Sequence, residues 1–233
     1  MSKFKDTLFW KNYKKFDKII GNSSMRSTVD ALIYWELFKE YNFANILEIG
    51  VYQGLTAGLM LETSKQLESY TGIDIELRLD LFNTIWADYL VNTKFYEQPS
   101  QTFDYSNTYD FILVDGDHAY NGALADLIKT STLLSKDGVL AIDDYSMVGV
   151  AAAISEFKKH TELVPFLQVE QTEFWHHPSN DRSNFLDGLL TNKINNFVFL
   201  YNIENNQILK AKTLTVFTDQ IDFTNQILEF YNI

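Results

Sequence analysis

The chain has 233 residues, 46% of them hydrophobic, and a formal net charge of −12, which suffices for one α/β domain with a substantial core. It contains no cysteine, which excludes a disulfide framework, a thiolate nucleophile and a thiolate zinc centre. Its acidity disfavours nucleic acid, whose phosphate backbone is bound by Lys and Arg displacing counterions. No stretch approaches the ~20 apolar residues of a membrane span, and the start Met1-Ser2-Lys3-Phe4-Lys5-Asp6 leads into no apolar secretory core. The expectation is a cytoplasmic protein acting on a small molecule, with no nucleic-acid or membrane partner and a second copy of itself left open as a partner.

Residues 1–42 read as an N-terminal helical segment. The first twenty residues hold six lysines against two aspartates, leaving about −16 on the remainder, and their aromatics (Phe4, Phe9, Trp10, Tyr13, Phe16) suit an amphipathic helix docked on the body, with a lid or dimer contact as alternatives. Ser27-Thr28-Val29-Asp30 has a capping-box arrangement, and Val29, Leu32, Ile33 and Leu37 then share a helical face that ends near Tyr41. Residues 43–160 alternate strand and helix. Strands are predicted at Asn45 to Ile49, Tyr70 to Ile75, Thr93 to Glu97, up to Asp115 and up to Asp143. Helices are predicted at Thr56 to about Leu67, Leu79 to Tyr89, Leu124 to Leu134 and Val148 to Lys159, with Lys136-Asp137-Gly138 as a turn. In residues 161–233, Leu163 to Thr172 and Asn196 to Asn202 read as a closing strand pair, and His176 to Lys193 as a long acceptor-side loop. The alternation predicts a doubly wound sheet in a single domain, residues 1–233.

The most informative stretches are Tyr109-Asp110-Phe111-Ile112-Leu113-Val114-Asp115-Gly116-Asp117-His118-Ala119-Tyr120 and Leu140-Ala141-Ile142-Asp143-Asp144-Tyr145. Each is an apolar run that stops in carboxylates. Unalternated Ile, Leu and Val suit parallel strands covered on both faces, and ligands collect at the carboxyl ends of such strands. Asp115, Asp117, Asp143 and Asp144 are therefore predicted to converge. Four like charges repel unless some are protonated or a cation sits among them, and oxygen ligands suit Mg²⁺. Singly, Asp115 or Asp143 also reads as a helix-capping carboxylate, and His118 as a structural donor or second base. His176-His177 beside Trp175 is a candidate wall of the acceptor pocket, with no zinc expected there.

The first turn, Glu48-Ile49-Gly50-Val51-Tyr52-Gln53-Gly54, puts a carboxylate at a strand end and glycines where backbone can approach a ligand. The spacing lacks the middle glycine of a dinucleotide fingerprint, which disfavours a nicotinamide oxidoreductase. Asp74 ends the second strand, where an acidic residue can hold ribose hydroxyls.

The order Glu48-x-Gly50-x-x-x-Gly54, Asp74, Asp115-Gly116-Asp117-His118-x-Tyr120 and Asp143-Asp144-Tyr145 resembles the class I S-adenosylmethionine-dependent methyltransferases. Within them it is most similar to the D-G-D-H-x-Y branch, which includes Mg²⁺-dependent sugar O-methyltransferases and cephalosporin-hydroxylase-like proteins. The resemblance spans about residues 24 to 160. It implies an α/β, Rossmann-like, doubly wound fold whose mostly parallel seven-stranded sheet closes with an antiparallel strand pair. It implies that Glu48, Gly50 and Gly54 line the methionine end of the cofactor, that Asp74 holds the ribose, and that Ser100-Gln101 touches adenine. Asp115 would border the cofactor and, with Asp143 and Asp144, ligate Mg²⁺, while Asp117 would be the general base. The chain lacks an obvious extra N-terminal segment for a large glycoside.

The chemistry is coherent on its own terms. A sulfonium methyl needs no activation, so the enzyme must place a nucleophilic oxygen in line behind it. Bound to Mg²⁺, a hydroxyl becomes more acidic and a carboxylate can take its proton. The expected activity is methyl transfer from S-adenosylmethionine to a hydroxyl of a small polar acceptor, a sugar or vicinal diol. The alternatives are a metal-independent N- or O-methyltransferase using Asp117 or His118, and a non-catalytic cofactor-binding protein.

Overall fold

The computed structural model describes residues 10–12, 15, 16, 19, 28–169, 171–180, 182 and 214–216. Five parallel strands form the centre of one sheet: β1 (Asn45–Ile49), β2 (Ser69–Asp74), β3 (Thr93–Glu97), β4 (Tyr109–Val114) and β5 (Leu134–Ile142). An antiparallel hairpin, β6 (Val164–Val169) and β7 (Thr172–His176), joins through β7 to β5. The short β8 (Leu214–Val216) extends the edge beyond β6, so the order is β3-β2-β1-β4-β5-β7-β6-β8. The sheet is thus mostly parallel with a closing antiparallel pair, as expected, plus one three-residue strand.

The apolar runs behave as doubly covered strands must. Ile46, Phe111, Leu113, Val139 and Ala141 point into one layer, against α1 (Thr28–Tyr41), α2 (Leu55–Thr63) and α3 (Asp80–Ile85). Leu47, Ile73, Ile112, Val114, Leu140 and Ile142 point into the other, against α4 (Tyr120–Ser131) and α5 (Val148–Phe157). Successive side chains alternate between faces, so a strand that feeds two layers has no polar position to spare. The described part of the N-terminal segment docks on the first layer, matching the simpler expectation. Trp10 and Phe16 are buried, Phe16 lies 5.6 Å from Trp86 between ring centroids, and Asn12 and Trp86 both donate to Glu62, at 2.5 and 2.7 Å. No helix among the described residues is long and apolar enough to cross a membrane.

Several boundaries differ from the sequence reading. The second predicted helix stops at Thr63 because Ser64 is extended, with φ −72° and ψ 105°. The third divides into α3 and a 3-10 turn, Ala87–Asn92. Lys136-Asp137-Gly138 is not a turn before β5 but a bulge within it. Tyr109 of β4 pairs with Leu134, and Phe111 already pairs with Val139. The expected strand Leu163 to Thr172 contains a reversal, because Val169 and Thr172 pair across a two-residue connection that lacks the Asn-Gly or Asp-Gly signature of such hairpins. The other expected strand of the closing pair, 196–202, lies outside the described residues, and its place beside β6 on the hairpin side is taken by β7.

At the end of β7, His176 is buried beside Phe166, with ring centroids 4.8 Å apart, and its Nδ1 has no hydrogen-bond partner among the described residues. Burial first, then the charges of Arg182 and His177, push its pKa down to about 4. The unfolded chain keeps an ordinary value of about 6.5, so protons bind preferentially to the unfolded state between those values. His176 therefore leaves stability unaffected above about pH 6.5 and subtracts from it increasingly as pH falls toward 4, by roughly 2–3 kcal/mol in all. Unfolding titrations of the parent and His176→Phe across that window should show the variant gaining on the parent as pH drops, and parallel curves would refute the assignment.

Candidate active site

The order of strands reverses between β1 and β4, and at such a switch point the loops leaving the two strands diverge to opposite faces and open a crevice. Here the two loops first touch. The Asp115 N–H donates to the Ile49 carbonyl at 2.8 Å, and the Gly50 N–H donates to the Ile73 carbonyl at 2.9 Å. Gly50 has φ +92°, and a Cβ on it would overlap the Asp115 carbonyl, so conformation and space both exclude a side chain. Tyr52 is also left-handed, with φ 47°. Its N–H donates to Asp74 Oδ2 at 2.7 Å, which fixes the turn against the end of β2. Gly54 caps the start of α2 with φ +78°, but a Cβ there would lie 2.7 Å from the Phe82 ring. It serves the contact of α2 with α3 rather than the crevice.

The crevice is a cleft of about 450 Å³, and its walls include Gly50, Tyr52, Asp74, Gln101, Asp115 and His118. Asp74 is positioned by two backbone donors, Tyr52 N–H on Oδ2 and Glu76 N–H on Oδ1 at 2.9 Å. Ser100 and Gln101 sit on a 3-10 turn, Ser100–Thr102, along the same cleft. Both donate to one oxygen, Asp126 Oδ1, at 2.6 and 3.1 Å. Asp126 is a buried residue of α4 that the sequence reading passed over. Its burial raises its pKa, opposed by the Ser100 hydrogen bond, and its Oδ2 has no partner.

Glu48 does not face this cleft. It is 1% exposed and accepts a hydrogen bond from the Tyr70 hydroxyl. Burial, then the Glu48 charge, raises the Tyr70 pKa well above its ordinary value, so the phenol stays protonated and donates. The reason is strand alternation. Glu48 shares a face with Ile46, which packs under α1 and α2, whereas Ile49 borders the cleft.

At the mouth of the cleft the structure gathers Asp115, His118 and Asp144, whose ligand atoms all lie within 4.8 Å of one another. His118 Nε2 stands 3.0 Å from Asp144 and 3.9 Å from Asp115. The interaction with Asp115, with the charges of Asp144, Asp115 and Asp143 and against partial desolvation, raises the imidazole pKa. Asp144 reaches this group through a left-handed backbone, φ 51°. Asp143 lies outside it, with Oδ1 accepting from the Thr172 hydroxyl at 2.6 Å. Asp117 lines the cleft, yet its carboxylate is turned to the start of α4. Oδ1 accepts the Ala119 N–H at 2.8 Å, and the side chain lies so close over Gly122 that a Cβ there would overlap it. An anion at this place satisfies a free N–H and faces the positive end of the helix. His176 lies among buried residues of the sheet and is not part of the cleft. Residues 183–193 of the expected acceptor loop lie outside the described residues.

Residues 47–145 match a family model described as a methyltransferase domain. No curated protein matches the chain significantly by sequence. Among solved structures, a Podospora anserina methyltransferase bound to S-adenosylhomocysteine is 15% identical, with TM-score 0.58 over 74% of this chain and 88% of that one. A Bacillus cereus O-methyltransferase in complex with S-adenosylhomocysteine is 13% identical, with TM-score 0.57 over 73% and 90% of the two chains. An O-methyltransferase from Streptomyces achromogenes, involved in tomaymycin synthesis and bound to S-adenosylmethionine, is 12% identical, with TM-score 0.54 over 73% and 87%. The fold of the chain is therefore the Rossmann-like methyltransferase fold, and residues 47–145 within it are similar to the methyltransferase domain model.

The contacts at the two left-handed glycines rank their substitutions. Gly54→Ala meets a side chain that can rotate, so its cost should be near the roughly 1–2 kcal/mol of a left-handed L-residue. Gly50→Ala meets fixed backbone and should cost more, roughly 2–4 kcal/mol. Denaturant unfolding of both variants measures the difference, and equal losses would contradict the close approach at Gly50.

Proposed function

We propose that this protein is an S-adenosylmethionine-dependent O-methyltransferase acting on a hydroxyl of a small polar acceptor, a sugar or vicinal diol, with a divalent cation, Mg²⁺, assisting. The observation that carries the reading is that Asp74 and the Asp115–His118 loop open onto one continuous cleft. A nucleoside held at one end then points toward a charged group at the other. Asp74 has both oxygens fixed by backbone N–H groups and keeps further lone pairs for two ribose hydroxyls. Gly50 leaves the backbone bare where the cofactor's amino-acid part would pass. The cofactors named for the Podospora, Bacillus and Streptomyces proteins support the same choice of ligand.

Asp115, His118 and Asp144 fit a divalent cation, since their donor atoms already converge and two carboxylates with one imidazole are ordinary ligands for hard to borderline ions. The imidazole widens the choice toward Mn²⁺. When bound, the ion would orient the acceptor hydroxyl and make its proton more acidic. The chain's own part is to hold acceptor and methyl donor in line and to receive the proton. Asp117, proposed from the family resemblance as that base, already accepts the Ala119 N–H; its remaining lone pairs are what it can offer. The short His118–Asp144 distance favours a second reading, in which His118, oriented by Asp144, takes the proton without a metal.

Calorimetry should show S-adenosylhomocysteine binding to the parent without added metal. Asp74→Ala should weaken binding by about 1.5–3 kcal/mol, through lost ribose hydrogen bonds and release of the Tyr52 turn. No saturation at millimolar ligand would overturn the proposal.

Methyl transfer to a panel of catechols, sugars and glycosides, with Mg²⁺ or Mn²⁺ titrated against EDTA, separates the two proton acceptors. Under the cation reading Asp144→Ala abolishes metal-dependent turnover and spares S-adenosylhomocysteine affinity, while its apo stability holds or rises as like-charge repulsion is relieved. Activity that survives EDTA but is lost in His118→Gln selects the metal-free reading.

A further inference from the structure

We infer that Asp126 is a positioning residue that orients the Gln101 amide so that the cleft selects a 6-amino purine over a 6-oxo purine; the inference rests on the S-adenosylmethionine reading. A nucleoside whose ribose is held at Asp74 must carry its base toward the neighbouring wall. That wall is the segment after β3, tied to the ribose site by the Gln98 N–H, which donates to the Asp74 carbonyl at 2.8 Å. Ile75, next to Asp74 and 75% exposed, offers an apolar face for a flat ring. Pro99, Ser100 and Gln101 supply the wall against the ring's edge.

Gln101 is the polar side chain whose orientation decides what that edge meets. An amide can present either a donor or an acceptor, and its partners choose which. Gln101 Nε2 and the Ser100 hydroxyl both donate to Asp126 Oδ1, at 3.1 and 2.6 Å. An oxygen that accepts two hydrogen bonds at once keeps the NH₂ of Gln101 directed inward. The Gln101 carbonyl oxygen is then the group left for the ligand. A carbonyl accepts from the exocyclic amino group of adenine and opposes the carbonyl of hypoxanthine. The arrangement does not depend on the charge of Asp126. The unpartnered oxygen is Oδ2, beside Gly116, so a proton would reside there and leave Oδ1 an acceptor. Asp126 itself is 3% exposed and does not line the cleft, so it acts through the two wall residues that it holds, Ser100 and Gln101, of which Gln101 carries the carbonyl that meets the base.

The test is calorimetric titration of the parent, Asp126→Ala, Asp126→Asn and Gln101→Ala with S-adenosylhomocysteine and with S-inosylhomocysteine, accompanied by thermal melts. The parent should prefer the adenine ligand by about tenfold or more. Asp126→Ala and Gln101→Ala should reduce that preference to within about threefold, while Asp126→Asn, which retains an oxygen acceptor, should keep most of it. A simple loss of structure would weaken both ligands alike and leave their ratio intact, and that result in Asp126→Ala would overturn the inference. If Asp126→Ala does not fold, the exposed Gln101→Ala decides, and a retained preference there overturns it. A parent that binds neither ligand removes the cofactor reading together with the inference. A parent that binds both equally removes the inference alone.

Discussion

The contact of the Gly50 backbone with the Asp115 carbonyl organises the rest of the site. Two parallel strands whose crossovers leave on opposite faces can bring their loops together only if one loop has no side chain there. The bare residue must also take a left-handed turn so that the chain can swing away. Once Gly50 does so, Tyr52 is carried into position to bond Asp74, and Asp115 is held at the mouth of the cleft by its own N–H on Ile49. The Asp74 end and the charged end of the cleft are therefore set by a single close approach.

The two core layers support this arrangement unequally. The layer under α1 and α2 absorbs Trp10 and Phe16 of the N-terminal segment and the Glu48–Tyr70 pair, a buried carboxyl group given a donor whose own proton is secured by burial. A lone buried carboxylate would cost several kcal/mol, so the phenol makes Glu48 tolerable on that face. The layer under α4 and α5 carries the candidate site residues after β4 and β5. There the carboxylates sit past the strand ends, where solvent and helix N-termini relieve their charge.

Much of the fold was legible because both faces of β4 and β5 are covered and the apolar runs stop abruptly at Asp115 and Asp143. The periods and stops of the sequence located the switch point and most of the cleft. Individual roles were harder. Glu48 reads as a cleft residue from its place in the motif, yet the alternation of Ile46, Leu47, Glu48 and Ile49 already turned it inward. Asp126 looks like a solvated acid within a helix, but Ala123, Leu127 and Thr130 place it on the buried stripe, a pattern present in the sequence and overlooked. The choice between Asp143 and Asp144 was not available locally. It depends on Thr172, from a strand whose hairpin turn lacked a signature, and on a left-handed backbone at Asp144 that no residue preference announced. Likewise Asp117 reads as a base by sequence, and only the Ala119 N–H and the approach of Gly122 show that its carboxylate is directed to the start of α4.

Helix α4 joins two functions that would otherwise be separable. Its first turn is tied to Asp117 in the loop beside the charged group, and Asp126, within the same twelve-residue helix, braces the wall opposite Asp74. A packed helix moves as a rigid unit, so a loop change that shifts its beginning also shifts the brace further along it. If the proposed function holds, acceptor preference and cofactor affinity are consequently not independent traits. Under the proposed function, selection for a bulkier acceptor by remodelling residues 117–120 would drag the methyl-donor side along.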